Sequence, residues 1–194
     1  MSKKKPVSIP EVSLLEAELK REKYKNRYWS VFRSTIYVLI TVAAIAVLVA
    51  TLWLPVLQIY GSSMTPTLEE GDIVISLKSQ DYEHGDIVAF YYNNKILIKR
   101  VIASPGEWVD IKEDGTVYVN NEMKDEPYIS GKAFGDCDIE LPYQVPESRI
   151  FVMGDHRSVS VDSRNSSVGC IAEEQIVGKI VFRVWPLEQF GLIQ

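Results

Sequence analysis

Three short stretches carry side chains whose types and spacing suit chemistry. The first is Gly61-Ser-Ser-Met-Thr-Pro-Thr-Leu68. A serine hydroxyl is a poor nucleophile until a base takes its proton, and Gly61 and Pro66 would hold the chain around Ser63 in a fixed turn. The second is Leu97-Ile-Lys-Arg-Val-Ile102, where two adjacent cations interrupt an apolar strand. Side chains alternate across a strand, so Lys99 and Arg100 face opposite sides and one of them must point toward the buried face. A desolvated lysine has a lowered pKa and can serve as a neutral general base near neutral pH, which arginine cannot. The third is Met153-Gly-Asp-His-Arg-Ser-Val-Ser-Val-Asp-Ser-Arg164, straight after a strand-like run. Its Asp155, Arg157, Asp162 and Arg164 can form ion pairs, and Ser160 or Ser163 can supply a hydroxyl to orient an amine. Taken singly, each stretch also fits something plainer: a polar juxtamembrane turn, a snorkelling lysine on an edge strand, or a solvated loop whose surface salt bridges are worth about 0–1 kcal/mol each.

The elements that must position these residues follow from the distribution of charge and apolar character. Met1 to Arg33 holds nine basic and four acidic residues, whereas the rest of the 194-residue chain is strongly acidic, and the formal net charge is -5. No charge lies between Arg33 and Glu69, and Ile36 to Leu57 is an almost unbroken apolar run of 22 residues. As a helix this run is about 33 Å long, enough to cross a hydrocarbon core of about 30 Å. It is longer than the apolar core of a cleavable signal peptide, and its leader is longer too. The expected organisation is a cytoplasmic basic arm (1–33), a transmembrane helix (34–57) and an extracytoplasmic domain (58–194), with the basic flank keeping the N-terminus inside. Trp29, Tyr37 and Trp53 stand near the helix ends, where amphipathic rings favour the interface. Within the arm, Ile9 to Ser30 has the spacing of a short amphipathic helix, read as a solvated extension of the anchor.

Beyond the anchor the period changes from helical to strand-like. Ile73–Leu77, Ile87–Tyr92, Ile96–Ile102, Trp108–Ile111, Thr116–Val119, Ile150–Met153 and Ile176–Val184 are short β-branched and aromatic runs. Turn signals such as Glu70-Gly71-Asp72, Asn93-Asn94 and Asp114-Gly115 separate them. The outer domain is therefore expected to be mainly β, an antiparallel sandwich or barrel-like fold, with Gly131 to Pro146 as a long loop. Without a basic surplus the chain is not expected to bind nucleic acid. Two cysteines and no C-x-x-C pair give no support to a metal site, and no cofactor is expected.

Together, and in this order, the three stretches resemble the boxes of the type I signal peptidases, in the Gram-positive-like branch. The resemblance runs from the apolar helix through Ser63-Met64-Thr65-Pro66-Thr67-Leu68, Gly71-Asp72, Gly85-Asp86, Lys99-Arg100-Val101 and Pro105-Gly106. It ends with Gly154-Asp155, Arg157, Ser160 and Asp162-Ser163-Arg164, covering about Ile59 to Trp185. It implies a membrane-bound serine endopeptidase that removes signal peptides from preproteins after small-x-small sites through an acyl-enzyme. By the same resemblance Ser63 is the nucleophile and Lys99 the general base. The backbone N–H of Ser63 would stabilise the oxyanion, Ser160 orients Lys99, Asp162 and Arg164 form a supporting ion pair, and Met64, Leu68 and Ile98 line the small substrate pockets. The segments Ile59–Gly61 and Ile96–Ile98 would hold an extended peptide by β-augmentation. Implied partners are signal-peptide-bearing preproteins, the lipid bilayer and the secretion translocon, at the cytoplasmic membrane.

The sequence departs from that pattern in places. His156 stands where most relatives have asparagine, Ala103-Ser104 precede Pro105 in place of glycine-leucine, and Gly61 replaces a serine that in some relatives helps bind the oxyanion. His156 and His84 keep a serine–histidine pair open, and Cys137 and Cys170 fit a disulfide as well as two reduced thiols. A membrane-anchored binding protein of the same fold is the other function class, against which the retention of both Ser63 and Lys99 argues. A penicillin-recognising hydrolase is weaker: the one Ser-x-x-Lys match, Ser2 to Lys5, is in the arm and no Lys-Thr-Gly follows. Ala44-Ile45-Ala46, inside the apolar run, is itself a small-x-small signature whose depth in the membrane should protect it. N-terminal sequencing of the purified protein is expected to find no chain beginning at Val47; a substantial fraction starting there would overturn that placement.

Overall fold

A computed structural model of the protein describes residues 12–79 and 81–193, and the side chains of all of these except residues 50–53. The Ser2–Lys5 match, Ile9 and the Trp53 side chain lie outside what is described. The chain divides into two units, Met1–Val49 and Ala50–Gln194. Helix α1 (Val12–Trp53) is continuous and, over Val12–Val49, long and apolar enough to cross a membrane, with none of its apolar window buried. It stops at Trp53 rather than at Leu57, where the apolar run ends. Pro55 lacks an N–H and disfavours the helical conformation for Leu54.

Among the described residues the second unit has twelve strands: β1 (Val56–Gln58), β2 (Ile73–Leu77), β3 (Ile87–Tyr92), β4 (Lys95–Ala103), β5 (Trp108–Ile111), β6 (Val117–Val119), β7 (Glu122–Met123), β8 (Tyr143–Gln144), β9 (Arg149–Met153), β10 (Ile171–Ala172), β11 (Ile176–Trp185) and β12 (Gly191–Leu192). All described pairings are antiparallel. The larger sheet has the order β1-β2-β11-β3-β4-β9-β10, with β12 also on β11, and the smaller has the order β7-β6-β5-β8. Every strand-like run of the sequence is a strand. The additional ones are only two or three residues long, too short to show a period. Asn93 and Asn94, with φ of 44° and 60°, make the two-residue turn that pairs Tyr92 with Lys95. Within the expected long loop, Tyr143-Gln144 pairs with β5.

Strand β3 shows why the Lys99-Arg100 stretch of β4 is enclosed. Ile87 and Ala89 belong to one apolar cluster with Ile59, Met64 and Leu68, while Val88 and Phe90 belong to another with Val101 and Val152. The sheet is thus covered on both faces, so Lys99 and Arg100, although they point opposite ways, are both buried. Alternation alone requires only one of them to be. A third cluster joins Ile102, Phe151 and Met153 to Val109, Ile111, Val117 and Val119 of the smaller sheet. Cys137 and Cys170 are free thiols, and burial pushes that of Cys170 up to about 11.

Neighbours on β3 test this two-faced burial. Phe90 is fully buried and Tyr91 is 57% exposed. Phe90→Ala is expected to lower stability by about 3–5 kcal/mol and Tyr91→Ala by about 0.5 kcal/mol or less, read as denaturation midpoints in detergent.

Candidate active site

The Ser63 turn is held at its neck, from inside and from below. At the neck Ile59 donates its N–H to Asp72 O (2.8 Å) and Gly71 donates to Ile59 O (3.0 Å). Inside, Met64 and Leu68 are buried in the core cluster. Below, Arg183 donates through Nη2 to Thr67 O, and its Nε lies 3.3 Å from Asp72 Oδ2. Gly61 takes φ of +83°, a left-handed conformation that favours glycine. Ser63 is left half-buried at the crest of the turn.

Lys99 reaches Ser63 from β4, its Nζ donating to Ser63 Oγ at 2.6 Å. The lysine is 3% exposed. Burial pushes its ammonium down to about 8; Asp162 opposes this, Arg164 adds to it and Asp155 opposes it again. The pull of Asp162 is blunted because Arg164 grips both of its oxygens, Nε to Oδ1 at 2.8 Å and Nη2 to Oδ2 at 2.9 Å. Both members of that pair are fully buried, so the third stretch is an interior network and not a solvated loop.

That network closes against the Ser63 turn. Asp162 Oδ2 accepts the Gly154 N–H at 2.9 Å, and the His156 N–H donates to Ser63 O at 3.1 Å. A Cβ on Gly154 would lie 2.5 Å from Ser63 O and 2.3 Å from Ser160 Oγ, so this close approach admits only glycine. Asp155 pairs with Arg100, Nε to Oδ1 at 2.9 Å and Nη2 to Oδ2 at 2.7 Å, and accepts a bond from Thr67 at 2.5 Å. Arg157 pairs with Glu126, and the Tyr128 ring lies 3.9 Å from the Arg100 guanidinium carbon. Glu126 and Tyr128 are absent from the sequence reading. They stand in an irregular stretch, and no local pattern marks them.

Not every residue named from the sequence meets the Ser63–Lys99 pair. Ser160 Oγ is buried without a hydrogen-bond partner among the described residues, and the bond from Lys99 goes to Ser63. Met64 and Ile98 line a groove of about 720 Å³ that runs between residues 56–64 and 94–99 and ends at Ser63 and Lys99. Leu68 packs in the core and does not line it. The His156 ring bonds Thr65 Oγ1 (3.0 Å) and Ser62 O (3.3 Å), and His84 bonds Ile102 O (2.9 Å), so neither is hydrogen-bonded to the Ser63 hydroxyl.

Comparison with known proteins now decides the family. The family described as "Signal peptidase, peptidase S26" matches residues 32–185. The chain belongs to the S26 signal peptidases. It is 40% identical over 152 residues to Signal peptidase IB of Staphylococcus aureus, covering 68% of this chain and 78% of that one. Signal peptidase I of Bacillus caldolyticus is 40% identical over 163 residues, covering 74% and 87%. The crystal structure of a signal peptidase I from Enterococcus faecalis V583 aligns with 51% of this chain and 96% of that one, at 28% identity and a TM-score of 0.44. Family membership rests on the sequence matches, and it makes the chain a serine peptidase, a hydrolase.

The enclosure of Lys99 has a thermodynamic signature. In the unfolded chain the amine keeps its proton up to about 10.5, whereas in the folded S26 peptidase it gives it up near 8. Between these values unfolding takes up a proton, so raising the pH stabilises the folded state. Below about 8 the charged form is held in a dry site at a cost on the order of 3 kcal/mol. Wild-type stability relative to Lys99→Met is therefore expected to rise between pH 8 and pH 10.5, in paired denaturation curves; a pH-independent difference would contradict the burial.

Proposed function

We propose that the chain removes N-terminal signal peptides from translocated preproteins by a Ser63–Lys99 dyad. The carrying observation is the 2.6 Å bond between a hydroxyl at the end of a groove and an amine that burial brings close to neutrality. Neutral Lys99 takes the Ser63 proton as Oγ attacks the scissile carbonyl. The Ser63 N–H, which has no partner among the described residues, receives the developing oxyanion, a type of contact worth about 2.7–4 kcal/mol. The Lys99 ammonium then gives its proton to the leaving amine as the C–N bond breaks, leaving an acyl-enzyme on Ser63. Water enters, Lys99 takes one of its protons, and collapse of the second tetrahedral intermediate frees the signal peptide and restores the serine. Ser160, with its unpartnered hydroxyl beside Gly154, serves as the orienting group for the amine, and Asp162 with Arg164 as its support.

The groove supports an extended peptide substrate. Among the described residues β9 meets β4 only at Arg100, Val101 and Ala103, so the Lys95–Lys99 part of β4 has one open edge, and β1 has β2 alone as its partner. Both open edges border the groove, where a peptide can add main-chain bonds on each side. Met64 and Ile98 line it with apolar walls suited to small side chains, in keeping with small-x-small sites. The basic flank and the apolar helix support a single-pass anchor with the N-terminus in the cytoplasm and the β unit outside, where the translocon delivers preproteins.

Incubation of the detergent-solubilised protein with a preprotein bearing an Ala-x-Ala site, followed by mass spectrometry, tests this reading. A cut after the second alanine is expected, abolished in Ser63→Ala and Lys99→Ala, with kcat/KM falling as the pH drops through about 8 and the amine becomes protonated. Cleavage surviving Lys99→Ala would overturn the dyad. An intact substrate, under conditions where a known signal peptidase cuts it, would favour the binding-protein class.

A further inference from the structure

Glu126 and Tyr128 belong to none of the three chemistry-bearing stretches, yet both touch the arginines that hold the site together. Glu126 is 7% exposed and takes two bonds from Arg157, Nη1 to Oε2 at 2.9 Å and Nη2 to Oε1 at 2.5 Å. The Tyr128 hydroxyl donates to Glu126 Oε1 at 3.0 Å, and its ring lies against the Arg100 guanidinium. From there both arginines reach one loop: Arg157 Nε donates to Gly154 O at 3.0 Å, and Arg100 holds Asp155 by two bonds. That loop meets the nucleophile, through the His156 N–H on Ser63 O and the close approach of Gly154 to the same carbonyl.

We propose that Glu126 and Tyr128 are positioning residues, a clasp that fixes the Gly154–Arg157 loop and, through it, the Ser63 backbone and the dry enclosure of Lys99. The proposal rests on the dyad reading above. Without the Glu126 carboxylate, Arg157 becomes an uncompensated buried charge, which is strongly unfavourable and draws in water or moves the loop. Either response shifts Ser63 relative to a bound peptide and hydrates Lys99. Two consequences follow that a purely structural brace would not produce together. The chemical step slows, and because burial is the main cause of the low pKa of Lys99, the pH at which the base becomes active moves upward.

The test is preprotein cleavage, with kcat and KM measured against pH, for wild type, Glu126→Gln, Glu126→Asp, Tyr128→Phe and the double variant Glu126→Leu/Arg157→Met. Replacing both members of a buried pair by apolar residues is often neutral for stability, so the double variant separates folding from positioning. Val117→Ala, a cavity in the cluster between the sheets, serves as a destabilised control. For Glu126→Gln the expectation is a kcat about tenfold lower or worse with KM nearly unchanged, and an ascending limb moved up by about one pH unit. Glu126→Asp should recover part of both effects, Tyr128→Phe should show a smaller loss in the same direction, and the double variant should fold yet share the slow, shifted profile. Val117→Ala should keep the wild-type limb. Rate losses without movement of the limb, or a double variant with wild-type kcat, would overturn the clasp while leaving the dyad standing. Cleavage by Lys99→Ala alongside wild type would overturn both.

Discussion

The structure depends on keeping one lysine amine dry beside one serine hydroxyl. Burial is the largest influence on Lys99, and a nearby unpaired carboxylate would undo it by favouring the ammonium. The buried charges are arranged accordingly. Among the described residues four carboxylates, Asp72, Glu126, Asp155 and Asp162, are buried with four arginines, and each has its own: Arg183, Arg157, Arg100 and Arg164. Lys99 is the remaining buried cation, bonded to a neutral hydroxyl. Arginine keeps its charge near neutrality, so each of these carboxylates faces a fixed positive partner. Buried ion pairs are weak contributors to net stability; here their use is geometric and electrostatic.

The topology brings this arrangement about. Strand β4 lies between β3 and β9, and its adjacent cations enter opposite faces of a sheet covered on both sides. Lys99 meets the turn that follows β1, and Arg100 meets the loop that follows β9. Those two loops, remote in sequence, touch main chain to main chain at Ser63 O and His156 N. No side chain intervenes there, and none fits, since even the Cβ of alanine at position 154 would collide with the Ser63 carbonyl. Ser63 is therefore located by backbone packing, and side-chain pairs hold that packing in place.

This division explains what was legible in the sequence. Seven of the strands and the apolar helix are legible as period-two alternation and an unbroken apolar run, which are local patterns; Ser63 and Lys99 stand out only when the three stretches are taken together. The pairing of the charges is not legible. Within the third stretch only Asp162 and Arg164 pair with each other; Asp155 reaches back to Arg100 and Arg157 to Glu126, 55 and 31 residues away. Such partners are chosen by topology, and a stretch read alone looks like a solvated loop. The end of the helix was misplaced because composition stays apolar through Leu57 while the backbone is already broken by Pro55. Leu68, taken from the family resemblance, shows a further limit: a resemblance carries roles, but whether a side chain lines a groove or plugs a core is settled by packing.

The choice of burial over a neighbouring cation as the way to lower the pKa of Lys99 has a consequence for catalysis. A neighbouring fixed positive charge is there with and without substrate, and here Arg164 contributes in that sense but is offset by Asp162. Desolvation is different: Lys99 is 3% exposed, and the groove of about 720 Å³ that it borders is the side on which solvent can stand near it. A peptide lying in the groove, as in the proposed reaction, displaces that solvent and makes the charged amine less favourable still. The base is then most nearly neutral when a substrate is in place to be attacked. In the proposed reaction, peptide binding along the open strand edges and desolvation of the amine are thus two effects of one occupied groove, which is a physical reason for Lys99 to sit within β4, where its open edge ends, rather than on a separate loop.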